Sequence, residues 1–217
     1  MLNYPSDIVD FCSNLGINNP EFFDKCNDLK NLLIEENKKY NLTRIVDDID
    51  FWNKHIADSL SILKYFKEFF KKGITVADVG CGAGFPSLVL ALALPESKVT
   101  AIDSIGKKTS FVKLSSEKLG LKNLSVITGR ARELKCMKEC DIVTARAVGE
   151  PLKIFKETST WLSKTGKLII YRSVTETVTE LKTLQTQFKH DYFQWQKTED
   201  FTLPNGSMRT FLYCTKR

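Results

Sequence analysis

The chain has 217 residues, 42% of them hydrophobic, enough for one good core, and a formal charge of +6 that favours an anionic partner without specifying it. No apolar run approaches membrane-spanning length. Residues 1–11 contain Asp7 and Asp10 and lack the basic leader and apolar core of a signal peptide, so a cytoplasmic protein with no membrane partner is expected. Six cysteines and two histidines show no paired zinc-ligand spacing. Cys136 and Cys140 are spaced as helical neighbours would be but lack partner ligands, so free thiols and no metal are expected.

Residues 5–15 and 20–40 are predicted as amphipathic helices; in the second, Phe22, Leu29, Leu32, Leu33 and Tyr40 recur near helical spacing. Asn41-Leu42-Thr43 interrupts the pattern. A third helix, about 50–70, carries Phe51, Trp52, His55, Ile56, Leu60, Leu63, Phe66 and Phe70. Lys71-Lys72-Gly73 is expected to close it, with cations in the last turn and a glycine stop. The spacing of these aromatics marks most of them as packing residues rather than a base-stacking platform.

Strands and helices then alternate. Strands are predicted at 74–79, 98–102, 124–127, 141–145 and 167–171, and helices at 86–94, 106–119, 149–162 and about 174–188. Such alternation implies right-handed crossovers and a parallel sheet. Near the C-terminus, 192–195 and 209–214 are strand-like and joined by a loop with Pro204-Asn205-Gly206, too short for a crossover helix, so they should pair antiparallel. The expected α/β fold is Rossmann-like: a mostly parallel sheet with a C-terminal antiparallel strand and an N-terminal helical extension. Residues 1–72 form the helical cap and 73–217 the core of one integrated domain.

The most informative stretch is Val76-Ala77-Asp78-Val79-Gly80-Cys81-Gly82-Ala83-Gly84-Phe85-Pro86, a strand running into a glycine-dense turn that opens a helix. Glycine permits a sharp turn and close approach of a ligand. Pro86 suits the first helical turn, and the helix N-terminus offers free N–H groups to a polar ligand. Asp103 follows about twenty residues later at the end of a second strand, placed to accept hydrogen bonds from ribose hydroxyls. The dinucleotide fingerprint would need glycine where Phe85 stands. Phe85 would crowd a pyrophosphate, yet it suits an adenosyl or methionine moiety. No Gly-Lys-Ser/Thr follows, which excludes a phosphate-binding P-loop. The pattern resembles motif I of S-adenosylmethionine-dependent methyltransferases. A nucleotide-dependent oxidoreductase and a non-catalytic RNA-binding assembly factor on the same fold are the alternatives.

Further blocks sharpen the resemblance: Glu36-Asn37-Lys38-Lys39-Tyr40-Asn41-Leu42-Thr43, Phe51-Trp52-Asn53-Lys54-His55-Ile56-Ala57-Asp58-Ser59-Leu60, Asp103-Ser104-Ile105-Gly106-Lys107-Lys108, Gly129-Arg130-Ala131-Arg132-Glu133 and Ala145-Arg146-Ala147-Val148. In their order and spacing they resemble the RsmG/GidB family, bacterial methyltransferases of guanosine nitrogen-7 in 16S ribosomal RNA, from about residue 20 to Arg217. The resemblance implies S-adenosylmethionine as cofactor and S-adenosylhomocysteine as product. It implies small-subunit ribosomal RNA, naked or in a particle, as partner of a monomeric enzyme. Gly80 and Phe85 match positions that bind the cofactor, Ala131 and Arg132 match a pair near the adenine, and Arg146 matches a further cofactor position. Gly82 and Gly84 complete the loop, and Asp103 fits the ribose role. Arg132 stands where the family usually carries Glu, Ser87 where it carries Gly, and Arg172-Ser173 where a Lys-Gly pair is common.

Guanine nitrogen-7 has an in-plane lone pair and no proton to lose, so direct in-line attack without a general base is expected, with catalysis resting on positioning and electrostatics. No Asn/Asp-Pro-Pro-Tyr/Phe follows strand four, and no Pro-Cys nucleophile motif is present. Arg146 is read as a positioning side chain for the cofactor carboxylate, guanine or a phosphate; a structural salt bridge is the plainer reading. Lys107, Lys108, Arg130 and Arg172 form a candidate phosphate track, although each alone reads as a solvated charge. His55 is read as structural, bonded to Asp58 or Ser59, rather than lining an RNA-facing cleft.

Overall fold

The computed structural model describes residues 4–45, 47–135, 137–188 and 192–216. Helix Ser6–Asn14 is followed by helix Pro20–Tyr40, whose start has clear local causes: Pro20 at the first position and an Asn19 side chain accepting from the Glu21 N–H. It ends on Lys38 and Lys39 with Asn41 left-handed at φ 49°. Phe22, Phe23, Cys26, Leu29 and Leu33 form its buried stripe.

The third helical segment, 48–66, is capped by the Asp47 side chain on the Asp50 N–H. It contains a wide i→i+5 stretch, Phe51–Ala57. From Phe51 to Leu63 every residue but Lys54 is buried, so this helix is core on all sides. Lys71-Lys72-Gly73 does not close it: the helix stops at Phe66 and a short 3₁₀ turn, Lys67–Phe69, follows. Gly73 instead donates to the Glu96 carbonyl, and Lys72 pairs with Glu96 beside the first strand.

The sheet contains β1 (Thr75–Val79), β2 (Lys98–Asp103), β3 (Leu124–Thr128), β4 (Cys140–Arg146), β5 (Leu162–Arg172), β6 (Phe193–Lys197), β7 (Phe201–Thr202) and β8 (Met208–Lys216). Among the described residues the order is β3-β2-β1-β4-β5-β8-β6, with β7 pairing only β8. The first five strands pair in parallel. β8 runs antiparallel to both β5 and β6, and Trp195 faces Cys214 as expected of the tail pair. The chain reverses its order at β1 and β4, which creates a crevice at their C-terminal ends.

Other elements also differ from the sequence reading. The helix predicted over 149–162 is Pro151–Thr158, and β5 begins five residues earlier than 167. Gly166 is the reason: a Cβ there would lie 2.5 Å from the Cys140 carbonyl oxygen, and without one the chain at Leu162 pairs Cys140. Pro86 caps the helix Ser87–Ala93 from outside rather than occupying its first turn. One hydrophobic cluster runs from Ile8 and Leu29 through Trp52 and Leu88 to Phe211, so the N-terminal helices share a core with the sheet. No described helix is long and apolar enough to cross a membrane. Cys12, Cys26, Cys81 and Cys140 are buried free thiols, whereas Cys136 lies outside the described residues.

Candidate active site

The glycine turn is built from both strands it joins. Gly80 and Cys81 donate to the Ile102 carbonyl at 2.8 and 2.9 Å, tying the loop to β2. Asp103, at the end of β2, accepts from the Gly82 N–H and the Ile105 N–H, both at 2.9 Å. One carboxylate therefore sets the glycine turn and the entrance to the helix Gly106–Lys118 together. Asp78 braces the loop from below: fully buried, it accepts from the Ser87 N–H and the Thr144 hydroxyl, both at 3.1 Å. Burial pushes its carboxyl up to about 6, against the pull of these donors and of Arg146.

A cavity of about 470 Å³ opens where these elements meet, within the roughly 300–1,000 Å³ range of small-molecule sites. Gly80, Asp103, Ala131 and Arg132 line it together with Lys108 and Arg130, and Ile102, Val148 and Ile154 supply apolar wall. Gly80 is needed for its shape: at φ +70° a Cβ would lie 2.3 Å from Val148 Cγ2. Ala147, the first residue after β4, adopts φ 53° at the cavity mouth. Lys153 and Glu157, from the helix Pro151–Thr158, also line the cavity; no local motif announces them, because only the return of that helix over the crevice brings them there.

The other expected site residues lie elsewhere. Gly82 serves the loop through its bond to Asp103, and Gly84 is bare because a Cβ would meet Leu88 Cδ1 at 2.3 Å. Phe85 does not line the cavity; it is buried against His55 and Phe51. Arg146 turns toward the helical segment, donating to the Lys54 carbonyl at 2.7 Å and to Asp58 at 3.0 Å. His55 is buried but bonds neither Asp58 nor Ser59; its ring nitrogens face Thr43 Oγ1 and Arg146 Nη2, each at 3.5 Å. Lys107 is exposed outside the cavity. Arg172 is held by Glu180 at 3.1 Å and by the Gly149 carbonyl, outside the cavity lining.

The strand order, the glycine turn and the cavity at the order reversal define the fold of S-adenosylmethionine-dependent methyltransferases. Solved structures agree: a SAM-dependent methyltransferase from Aquifex aeolicus superposes with TM-score 0.51 at 23% identity, over 70% of this chain and 92% of that one. An rRNA methylase from Streptococcus thermophilus gives TM-score 0.51 at 18% identity, over 69% and 92%. Residues 23–207 match the family described as rRNA small subunit methyltransferase G, GidB. Proteins named Ribosomal RNA small subunit methyltransferase G are similar over most of the chain. The one from Leuconostoc citreum is 35% identical over 182 residues, 82% of this chain and 76% of its own. The one from Lactobacillus acidophilus is 38% identical over 189 residues, 85% and 78%. The chain belongs to the GidB family of methyltransferases.

Proposed function

We propose that this protein transfers a methyl group from S-adenosylmethionine to nitrogen-7 of a guanosine in 16S ribosomal RNA, as a monomeric cytoplasmic enzyme acting on naked RNA or a ribosomal particle. The observation that carries the reading is the placement of Asp103 and Gly80 on one cavity at the order reversal of the sheet, in a chain of the GidB family. The residues present fit the cofactor. Each Asp103 oxygen accepts one backbone N–H and keeps lone-pair capacity for a ribose hydroxyl. Gly80 leaves open the space that any side chain would close. Ile102, Ala131 and Val148 offer apolar surface to an adenine, with Arg132 at its rim.

The cofactor, when bound, supplies a methyl group on a positively charged sulfur. The chain's own work is binding and orientation. Asp103 fixes the sugar, the bonds from Gly80 and Cys81 to Ile102 hold the loop rigid, and Ala147 and Val148 shape the mouth through which the acceptor reaches the site. Guanine nitrogen-7 bears no proton, so no side chain need act as a base. Lys108, Arg130 and Lys153 add positive charge at the rim, which suits a polyanionic substrate.

Nucleoside mass spectrometry of ribosomal RNA from a gene deletion and its parent tests the reading. Loss of one 7-methylguanosine from the small-subunit RNA is expected, and an unchanged profile would refute it. Calorimetry gives a second check: S-adenosylhomocysteine should bind, and binding of NAD alone would instead favour an oxidoreductase.

A further inference from the structure

Outside the cavity, a cluster of charged side chains joins three distant parts of the chain. Asp58, from the segment 48–66, accepts from Arg146 Nη1 on Oδ2 and from Arg209 Nε on Oδ1, each at 3.0 Å. The side chains of Asp58, Arg146 and Arg209 are 8%, 16% and 24% exposed. One carboxylate thus bridges two guanidiniums, and Asp78 also acts on Arg146 through its charge. A pair with Asp58 is complete with Arg146 alone, and Arg209 adds a second, partly exposed guanidinium to it. Arg209 keeps its Nη2 group without an acceptor among the described residues, since Nε serves Asp58 and Nη1 serves the Met208 carbonyl.

The position of the cluster indicates which ligand it serves. Arg146 ends β4, beside Tyr171 of β5. Arg209 is the second residue of β8, one before Thr210, which pairs Arg172 at the end of β5. Because β8 is antiparallel, its first residues lie at the same sheet edge as the cavity. Yet neither arginine nor Asp58 lines that cavity, which takes its charged groups from the β2 and β3 side and from the helix Pro151–Thr158. Arg146 directly precedes Ala147 and Val148, which line the cavity, so the cluster adjoins the cavity on its β4 side. We infer that Arg209, aligned with Arg146 by Asp58, contacts a backbone phosphate of the RNA acceptor, and that Asp58 is a positioning residue. This rests on RNA being the acceptor.

Filter binding of labelled 16S ribosomal RNA at several salt concentrations tests it, beside calorimetry with S-adenosylhomocysteine and thermal melts. Arg209→Gln should weaken RNA binding about fivefold to tenfold and lower the slope of log Kd against log salt by about one, with S-adenosylhomocysteine affinity unchanged. Arg209→Lys should restore most of the affinity and the slope, since a phosphate accepts either cation. Asp58→Asn adds a positive charge to the cluster yet should weaken RNA binding, because alignment is lost. Unchanged RNA affinity in Arg209→Gln, failure of Arg209→Lys to restore it, an equal loss of cofactor affinity, or tighter RNA binding by Asp58→Asn would each overturn the assignment. Because the readout is binding and not turnover, a protein that holds RNA without methylating nitrogen-7 would refute the proposed reaction alone.

Discussion

The imidazole of His55 lies flat on the ring of Phe85, with centroids 3.9 Å apart and planes 11° from parallel. The contact joins the helical segment to the glycine loop directly. His55 Nδ1 faces Arg146, whose guanidinium can only donate, so the ring is neutral with its proton on Nε2 toward Thr43 Oγ1. Thr43 is itself fixed by its N–H, which donates to Asn37 Oδ1 at 2.9 Å. The Asn-Leu-Thr block thus meets the His-x-x-Asp-Ser-Leu block at His55, which in turn packs on Phe85 and faces Arg146.

The two buried titrating groups near this contact have opposite effects on stability. Burial, aided by Arg146 and Lys54, pushes His55 down from 6.5 to about 3. Between those pH values the unfolded chain takes up a proton that the folded one refuses, so acid removes about 1.4 kcal/mol per pH unit. Asp78 is pushed up from 3.8 to about 6, so the folded form takes up its proton first and acid adds stability over that window. The two contributions should nearly cancel between about pH 4 and 6. His55→Phe keeps the stack and removes the first, so this variant should gain about 2–3 kcal/mol relative to wild type on going from pH 6.5 to 4. Asp78→Asn should lose a comparable amount relative to wild type over the same range. Urea unfolding at stepped pH checks this; parallel curves for all three proteins would refute the assignment.

Gly80 and Gly82 both have positive φ, at +70° and +57°, but only Gly80 is sterically confined. Gly80→Ala should cost about 2–4 kcal/mol, combining left-handed strain with a clash against Val148, and should abolish binding of S-adenosylhomocysteine. Gly82→Ala should cost about 1–2 kcal/mol, the strain alone. Adding Val148→Ala should recover the steric part in Gly80→Ala and nothing in Gly82→Ala. Thermal melts of the four proteins decide it, and equal damage at both glycines would be the contrary result.

Asp103→Asn places an amide where two backbone N–H groups need acceptors. One of those donors then loses its partner, at about 1–3 kcal/mol. Calorimetry with S-adenosylhomocysteine should show affinity reduced at least tenfold with the protein still folded. Full affinity in this variant would remove Asp103 from the site.

Arg132 lines the cavity but its side chain is 59% exposed and lies 3.6 Å from the neighbouring Glu133 carboxylate. A side chain so solvated contributes little, so Arg132→Ala should change S-adenosylhomocysteine affinity less than threefold. A larger loss would assign the guanidinium a direct contact.

Much was legible in the sequence because the signals were local. The apolar run into Gly80-Cys81-Gly82-Ala83-Gly84 identified β1 and its turn, and Asp103 was placed at the end of β2 by spacing alone. Alternating periodicity implied a parallel sheet, and the short 200s loop implied an antiparallel tail. The sequence reading and the structure part where a distant partner decided the outcome. β5 starts early because Gly166 lets its backbone approach Cys140. Phe85 packs on His55, thirty positions earlier, rather than facing the cavity.

The sequence by itself determined the turn, the carboxylate at the end of β2 and the family blocks, since each depends on neighbours within a strand, a turn or a helix. Only the tertiary structure decided that Asp58 meets Arg146 and Arg209, partners 88 and 151 residues away. Those pairings follow from seating a largely buried helix across the ends of β4 and β8, an arrangement that side-chain packing selects and no local pattern encodes.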